Sequence, residues 1–247
     1  MDIRAGYMPS QSDIKLFSSL KLKKFRQKYG LFLVEGVKSV QELRHSQLNI
    51  RHILVAAGSS FRMDGADTEE ISARDMERIS AMETPPGVIA VVEIPVTESL
   101  ADLRTARPLL ALDGIRDPGN LGTIIRIADW YGLSHVLLSE DCTDLYNPKC
   151  LQASMGSFMR VSCIYGKLDL LMRQSGLPVY ACTLHGQNIR EMQLPEQCIL
   201  LIGSEAHGIS APLLEVADGA ITIPRFGQAE SLNAAIATAL VLDRCVR

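Results

Sequence analysis

Residues 109–128 read LLALDGIRDPGNLGTIIRIA, and the fold turns on how this stretch is parsed. Leu109–Leu112 is a short unbroken apolar run, the pattern of a strand covered on both faces. Asp117-Pro118-Gly119 then reads as a tight turn, because proline presets φ and glycine accepts conformations other residues avoid. Asn120 serves in this reading as the cap of a helix over Leu121–Tyr131. Arg126 falls in the second turn of that helix, among Ile124, Ile125, Ile127 and Ala128. Two readings stay open for it: a guanidinium in an apolar setting whose fork needs partners, or a surface arginine on a solvent face.

The same alternation extends in both directions. Downstream, Val136–Leu138, Val161–Tyr165, Val179–Cys182, Cys198–Ile202 and Ile221–Ile223 read as strands. Helical patterns over Leu151–Phe158, Leu168–Met172 and Leu232–Leu242 separate or follow them. This is an α/β pattern with a largely parallel sheet, whose ligands are expected beyond the carboxyl ends of the strands. Upstream, residues 13–28 read as one helix, with Ile14, Phe17, Leu20 and Phe25 at helical spacing and a stop near Gly30. Leu31–Val34, Ile50–Ala57 and Val88–Val92 read as strands, Val37–Leu43 and Ser72–Ser80 as helices, and 58–68 as a loop. The expected organisation is a small α/β domain over 1–95, a connection over 96–107 and a larger α/β domain over 108–247.

Of the 247 residues, 47% are apolar and 21% charged, which excludes a disordered tail or a fibrous repeat. No apolar run approaches the roughly 20 residues of a membrane span, and Met1–Tyr7 lacks the layout of a secretory signal. The six cysteines all lie in the second half without a Cys-x-x-Cys pair, and the five histidines show no metal-ligand spacing. A soluble cytoplasmic protein with free buried thiols and no metal is therefore expected. Net charge is −3, but residues 1–51 carry ten Lys or Arg against four Asp or Glu. Residues 52–107 reverse this with five against ten, and residues 108–247 carry ten against fourteen. A basic arm on an otherwise acidic protein can hold a phosphate backbone; the alternative is a lysine-rich solvated helix face.

Two further loops follow predicted strands. Residues 201–210 read LIGSEAHGIS, where Gly203 allows close approach to the backbone and Glu205 places a carboxylate at the loop tip. The loop lacks both Gly-x-Gly-x-x-Gly and Gly-Lys-Ser/Thr, which argues against dinucleotide and P-loop binding. Residues 221–235 read ITIPRFGQAESLNAA, in which Ser231 or Asn233 can cap the final helix.

In this order the three loops resemble the three motifs of the SpoU/TrmH-type RNA 2′-O-ribose methyltransferases. The matching residues are Asp117-Pro118-Gly119-Asn120 with Arg126, Gly203-Ser204-Glu205 with Gly208, and Ile223-Pro224 followed by Glu230-Ser231-Leu232-Asn233-Ala234. Asn147-Pro148-Lys149 and Ala153–Ser157 resemble the stretch between the first two motifs. Phe32–Gly36 with its upstream basic helix resembles the family's small L30e-like RNA-binding domain.

The resemblance implies an α/β SPOUT-type domain with a deep trefoil knot, S-adenosyl-L-methionine as cofactor, RNA as substrate and a homodimeric assembly. It implies cofactor contacts around Thr183, Leu184, Gly203, Ile223 and Leu232. It implies that Arg126 orients the ribose hydroxyl, that Asn120 and Glu205 hold that arginine or the ribose, and that Ser231 and Asn233 position substrate and backbone. Lys21, Lys23, Lys24, Arg26 and Lys28 would meet RNA phosphates. Ribosomal RNA is the expected substrate; transfer RNA, a base methyl acceptor, or an inactive RNA-binding protein of the same fold are the alternatives. Two positions depart from the motifs: Ala235 stands where a serine is common, and Arg225 where an apolar residue is common.

Overall fold

The computed structural model describes residues 8–96 and 108–246. The expected connection over 96–107 thus lies, apart from Val96, outside the described residues. Residues 8–96 and 146–159 make up one compact unit, and 108–145 with 160–246 the other. The grouping differs from the expected boundaries at 146–159, for a reason that lies in β1.

In the first unit, two helices stand where one was expected: α1 (Gln11–Ser19) and α2 (Lys23–Tyr29). Ser10 caps α1 in a reciprocal box with Asp13. The break comes at Leu22, whose backbone is extended. Arg26 holds it in place: its side chain is 2% exposed, and Nη1 donates to the carbonyls of Leu20 at 2.9 Å and Lys21 at 2.8 Å. Arg26 was expected at RNA phosphates; its guanidinium is instead committed to the carbonyls at the end of α1.

The chain continues through β1 (Leu31–Glu35), α3 (Val37–Glu42), β2 (Ile50–Ala56), β3 (Glu69–Ile71), α4 (Ala73–Ile79) and β4 (Val88–Glu93). The sheet order is β1-β4-β2-β3, with β4 antiparallel to both neighbours and β3 parallel to β2. Leu33, Leu54, Ile71, Ile89 and Val91 pack on one side with Ile14, Phe17, Met76 and Ile79 from α1 and α4. Phe32 alternates to the opposite face of β1. There its ring lies 4.4 Å from Tyr146 and meets Phe158 edge-on at 6.1 Å. That aromatic cluster is what draws 146–159 into this unit.

The larger unit comprises β5 (Leu109–Asp113), α5 (Pro118–Trp130), β6 (His135–Ser139), then α6 (Pro148–Ser154) in the excursion to the first unit. It resumes with β7 (Ser162–Gly166), α7 (Leu168–Ser175), β8 (Val179–Asn188), β9 (Ile199–Gly203), α8 (Ala211–Glu215), β10 (Gly219–Thr222) and α9 (Ala234–Cys245). All six strands are parallel, in the order β10-β8-β9-β5-β6-β7. Leu109–Leu112 and Ile199–Ile202 are buried throughout, as strands covered on both faces must be. Ala111, Leu137 and Leu201 face a cluster built with Leu171, Met172 and Leu213. Truncating such a leucine to alanine costs about 2–5 kcal/mol.

From β5 the chain winds outward to β6 and β7, then crosses to β8 and returns through β9. The loops after β5 and β9 therefore part where winding reverses, with Asp113 and Gly203 paired at the strand ends. Such a switch point opens a crevice. The far end of β8 runs against β10 after a register break at Ala220–Ile221. A methyl group at Gly186 would lie 2.5 Å from the Ile221 carbonyl carbon, so glycine permits that crossing.

Burial pushes the thiols of Cys163 and Cys198 up to about 12 and that of Cys245 to about 11. All six cysteines are free.

Candidate active site

The first loop begins at Asp113 and turns at Gly114, whose N–H donates to Ser139 Oγ at 2.9 Å. Asp117, not Asn120, caps α5: its carboxylate accepts the Asn120 N–H at 2.8 Å, and Pro118 opens the helix. Proline suits that position because its missing N–H would be unpaired there in any case. The shift by one turn releases the Asn120 side chain for another task.

That task is at the second loop. Asn120 Nδ2 donates to Glu205 Oε1 at 3.0 Å. The same oxygen accepts Asn233 Nδ2 at 2.7 Å and the Ala234 N–H at 2.9 Å. Asn233 Nδ2 also reaches Asn120 Oδ1 at 2.9 Å, while Asn233 Oδ1 caps α9 through Ala235 and Ile236. One carboxylate oxygen thus gathers three donors from two of the loops and the first turn of α9. The N-terminal turn of a helix has unpaired N–H groups and favours negative charge, so Glu205 is well placed there. A second tie, Ser210 N–H to Asp113 Oδ2 at 2.8 Å, joins the β5 and β9 loops again. Within the second loop, Ser204 and Gly208 bond each other's backbone, and a side chain at Gly203 would strike the Gly208 backbone. Glycine at 203 is thus required by the loop's own fold, not only by the approach of a ligand.

Beside this junction opens a cavity of about 740 Å³. Its walls come from the middle of β8 (Thr183, Leu184), the β9 loop (Gly203, Glu205), the β10 loop (Ile223, Ser231, Leu232) and α9 (Ala237, Val241). All five residues expected around a cofactor line it. Thr183 Oγ1 is sealed from solvent and has no hydrogen-bond partner among the described residues.

Asn120, Glu205 and Asn233 are brought together, while Arg126 and Ser231 stand apart from their network. Arg126 is exposed on α5, six residues beyond Asn120 or about 9 Å along the axis, and makes no hydrogen bond or ion pair with any described residue. Ser231 is exposed on the cavity wall. The Ala234 N–H was not foreseen, because a backbone donor leaves no side-chain signature; Phe226 on the same wall was passed over although its aromatic side chain is visible in sequence. Among the described residues no three metal-ligating side chains gather, and no helix is long and apolar enough to cross a membrane. Lys23, Lys24 and Lys28 lie exposed on α2 and Lys21 is half-buried just before it.

Residues 107–243 match the family model described as the SpoU rRNA Methylase family, and residues 11–90 match the MRM3-like substrate binding domain. The 23S rRNA (guanosine(2553)-2′-O)-methyltransferase RlmP of Bacillus subtilis is 35% identical over 236 residues, spanning 93% of this chain and 94% of that protein. A solved TrmH-family protein from Porphyromonas gingivalis is 37% identical with a TM-score of 0.85, over 97% of this chain and 98% of that one. The SpoU methyltransferase AviRb from Streptomyces viridochromogenes, solved in complex with AdoMet, is 25% identical with a TM-score of 0.85. That match covers 96% of this chain and 97% of the other.

Proposed function

The chain belongs to the SpoU rRNA methylase family, and from that premise we propose that it transfers a methyl group from S-adenosylmethionine to a ribose 2′-hydroxyl of ribosomal RNA. The observation that carries this reading is the junction of Asn120, Glu205 and Asn233 on the wall of the cavity. RlmP acts on that class of group in 23S rRNA, and AviRb holds AdoMet in the same fold.

The cavity fits the cofactor by its own chemistry. Its wall is largely apolar, as an adenosyl group needs, and Thr183 Oγ1 is a buried hydroxyl that lacks a partner. Thr183, Leu184, Gly203, Ile223 and Leu232 would hold S-adenosylmethionine. When bound, it supplies a methyl group already activated on a sulfonium centre. The chain's task is then to align the ribose oxygen with that carbon and to ease loss of the hydroxyl proton. Arg126 Nη donors, unengaged among the described residues, hold the 2′-oxygen and a neighbouring phosphate. A guanidinium presents N–H donors and no acceptor, so it orients and stabilises the oxygen rather than taking its proton. The Glu205 carboxylate fixes Asn120 and Asn233, and Ser231 Oγ faces the substrate. The crossing of β8 and β10 at Gly186 belongs, in this reading, to the trefoil knot.

The reaction takes place in the cytoplasm as a homodimer. Trp130 on α5 is 85% exposed, and Ile236 and Leu240 lie exposed one turn apart on α9, which packs on α5. A second copy covers these apolar side chains.

The test is transfer of labelled methyl from S-adenosylmethionine to unmodified total RNA, followed by nucleoside analysis. Labelled 2′-O-methylnucleoside in ribosomal RNA is expected. Label on a base or in transfer RNA would sink the assigned substrate, and no label from folded protein would leave an RNA-binding protein.

A further inference from the structure

α2 carries a surface that the methyl-transfer site leaves unexplained. At about 100° per residue, Lys24, Lys28, Phe25 and Tyr29 take adjoining positions along one side of the helix, while Arg26 turns inward. The rings of Phe25 and Tyr29, one turn apart, are nearly parallel at 12° with centroids 6.3 Å apart. Lys24 Nζ sits 4.8 Å from the Phe25 centroid, and Lys28 Nζ 5.2 Å from that of Tyr29. Tyr29 is 39% exposed, and Phe25 is half-buried. Neither lysine has an ion-pair partner among the described residues. Between Asp13 and Glu35 the chain carries six Lys or Arg and no acidic residue.

Cations alone suffice to hold a duplex backbone, whose bases are stacked out of reach. Nearly parallel aromatic rings on one side of the helix, each with an ammonium over one of its faces, match something else. An unpaired nucleotide offers a flat π-face and, next to it, a phosphate. We propose that α2 is a stacking platform for unpaired RNA nucleotides, in which Tyr29 and Phe25 take bases and Lys24 and Lys28 take the adjoining phosphates. The proposal rests on the reading of this chain as an RNA methyltransferase. It makes the first unit a reader of loops and single strands rather than of duplex shape.

The test uses the full chain and fluorescence anisotropy with labelled oligouridylate of about ten nucleotides, against a duplex of the same length. Wild type binds the single strand more tightly. Tyr29→Ala weakens single-strand binding by about fivefold or more and leaves the duplex unchanged, while Tyr29→Phe keeps the wild-type affinity. Lys24→Gln with Lys28→Gln weakens both RNAs and flattens the single-strand salt dependence by about 0.7 per lost phosphate contact. Equal losses on both RNAs in Tyr29→Ala, or no loss, would overturn the platform. If thermal melting shows that variant unfolded, Phe25→Leu, which keeps the packing and removes the ring, replaces it under the same criteria. Calorimetric binding of S-adenosylmethionine without RNA separates the two readings. Protein that stacks the single strand but takes no cofactor keeps the platform and loses the methyltransferase. Protein that methylates ribosomal RNA without single-strand preference loses the platform alone.

Discussion

α2 and α5 each carry one arginine, and the two side chains end in opposite conditions. Arg26 comes from the most basic run of the chain and is buried, its guanidinium engaged by the carbonyls of Leu20 and Lys21. Arg126 comes from among isoleucines and is exposed, with no partner among the described residues. Neighbours in sequence point the wrong way in both cases. What decides is which arc of the helix is covered and where unpaired carbonyls lie. Leu121, Ile124, Ile125 and Ala128 form the covered arc of α5 and leave Arg126 outside it. In α2 the inward position is Arg26 itself, directed at the end of another helix. Polar groups engaged by the protein maintain the fold, and those left unengaged are available to a ligand.

The largest expected effect tests the unengaged member. Arg126→Ala should lower the methyl-transfer rate by about 100- to 1,000-fold, the loss typical of one transition-state donor. Its thermal stability should stay within about 0.5 kcal/mol of wild type, because no described residue loses a partner. A variant that loses stability as well as activity would show that Arg126 has a structural partner and would break the contrast.

Arg26→Met tests the engaged one. It keeps the apolar stem and removes the donors, leaving the Leu20 and Lys21 carbonyls without their partner. A destabilisation of about 2–3 kcal/mol in denaturant unfolding is expected, with methyl transfer per folded molecule unchanged. RNA affinity that falls at full folding would return Arg26 to the phosphate-binding set.

The contrast also explains what could be read before folding. The central strands β5, β6 and β9 were legible because burial on both faces leaves unbroken apolar runs such as Leu109–Leu112. β3 was not: it is three residues long and begins with two glutamates, of which Glu69 is buried against His52. The break between α1 and α2 carries no glycine or proline, since the side chain of Arg26 supplies the stop from four residues beyond Leu22. α6 ends at Ser154 because Met155 takes a left-handed backbone at φ 49°, a conformation its residue type does not announce. In the site, Asn120, Glu205 and Asn233 were visible through the family's motifs. Their shared oxygen was not, because it depends on the Ala234 N–H and on Asp117 taking over the cap.

The smallest expected effect extends the same contrast to the cavity, where Thr183 Oγ1 is the buried counterpart of Arg126. A hydroxyl sealed from solvent without a partner destabilises the free protein, so replacing it with a methyl group removes a cost rather than a bond. Thr183→Val should therefore melt at the same temperature or slightly higher without cofactor. If the hydroxyl bonds S-adenosylmethionine, the same variant should bind it about 2- to 13-fold more weakly, the loss that corresponds to one neutral hydrogen bond. Calorimetry and melting curves with and without the cofactor read both terms in one preparation. Opposite signs would place Thr183 with Arg126 among the groups kept for the ligand. Destabilisation without any change in cofactor affinity would show that the hydroxyl has a partner within the folded chain, and would move Thr183 to the side of Arg26.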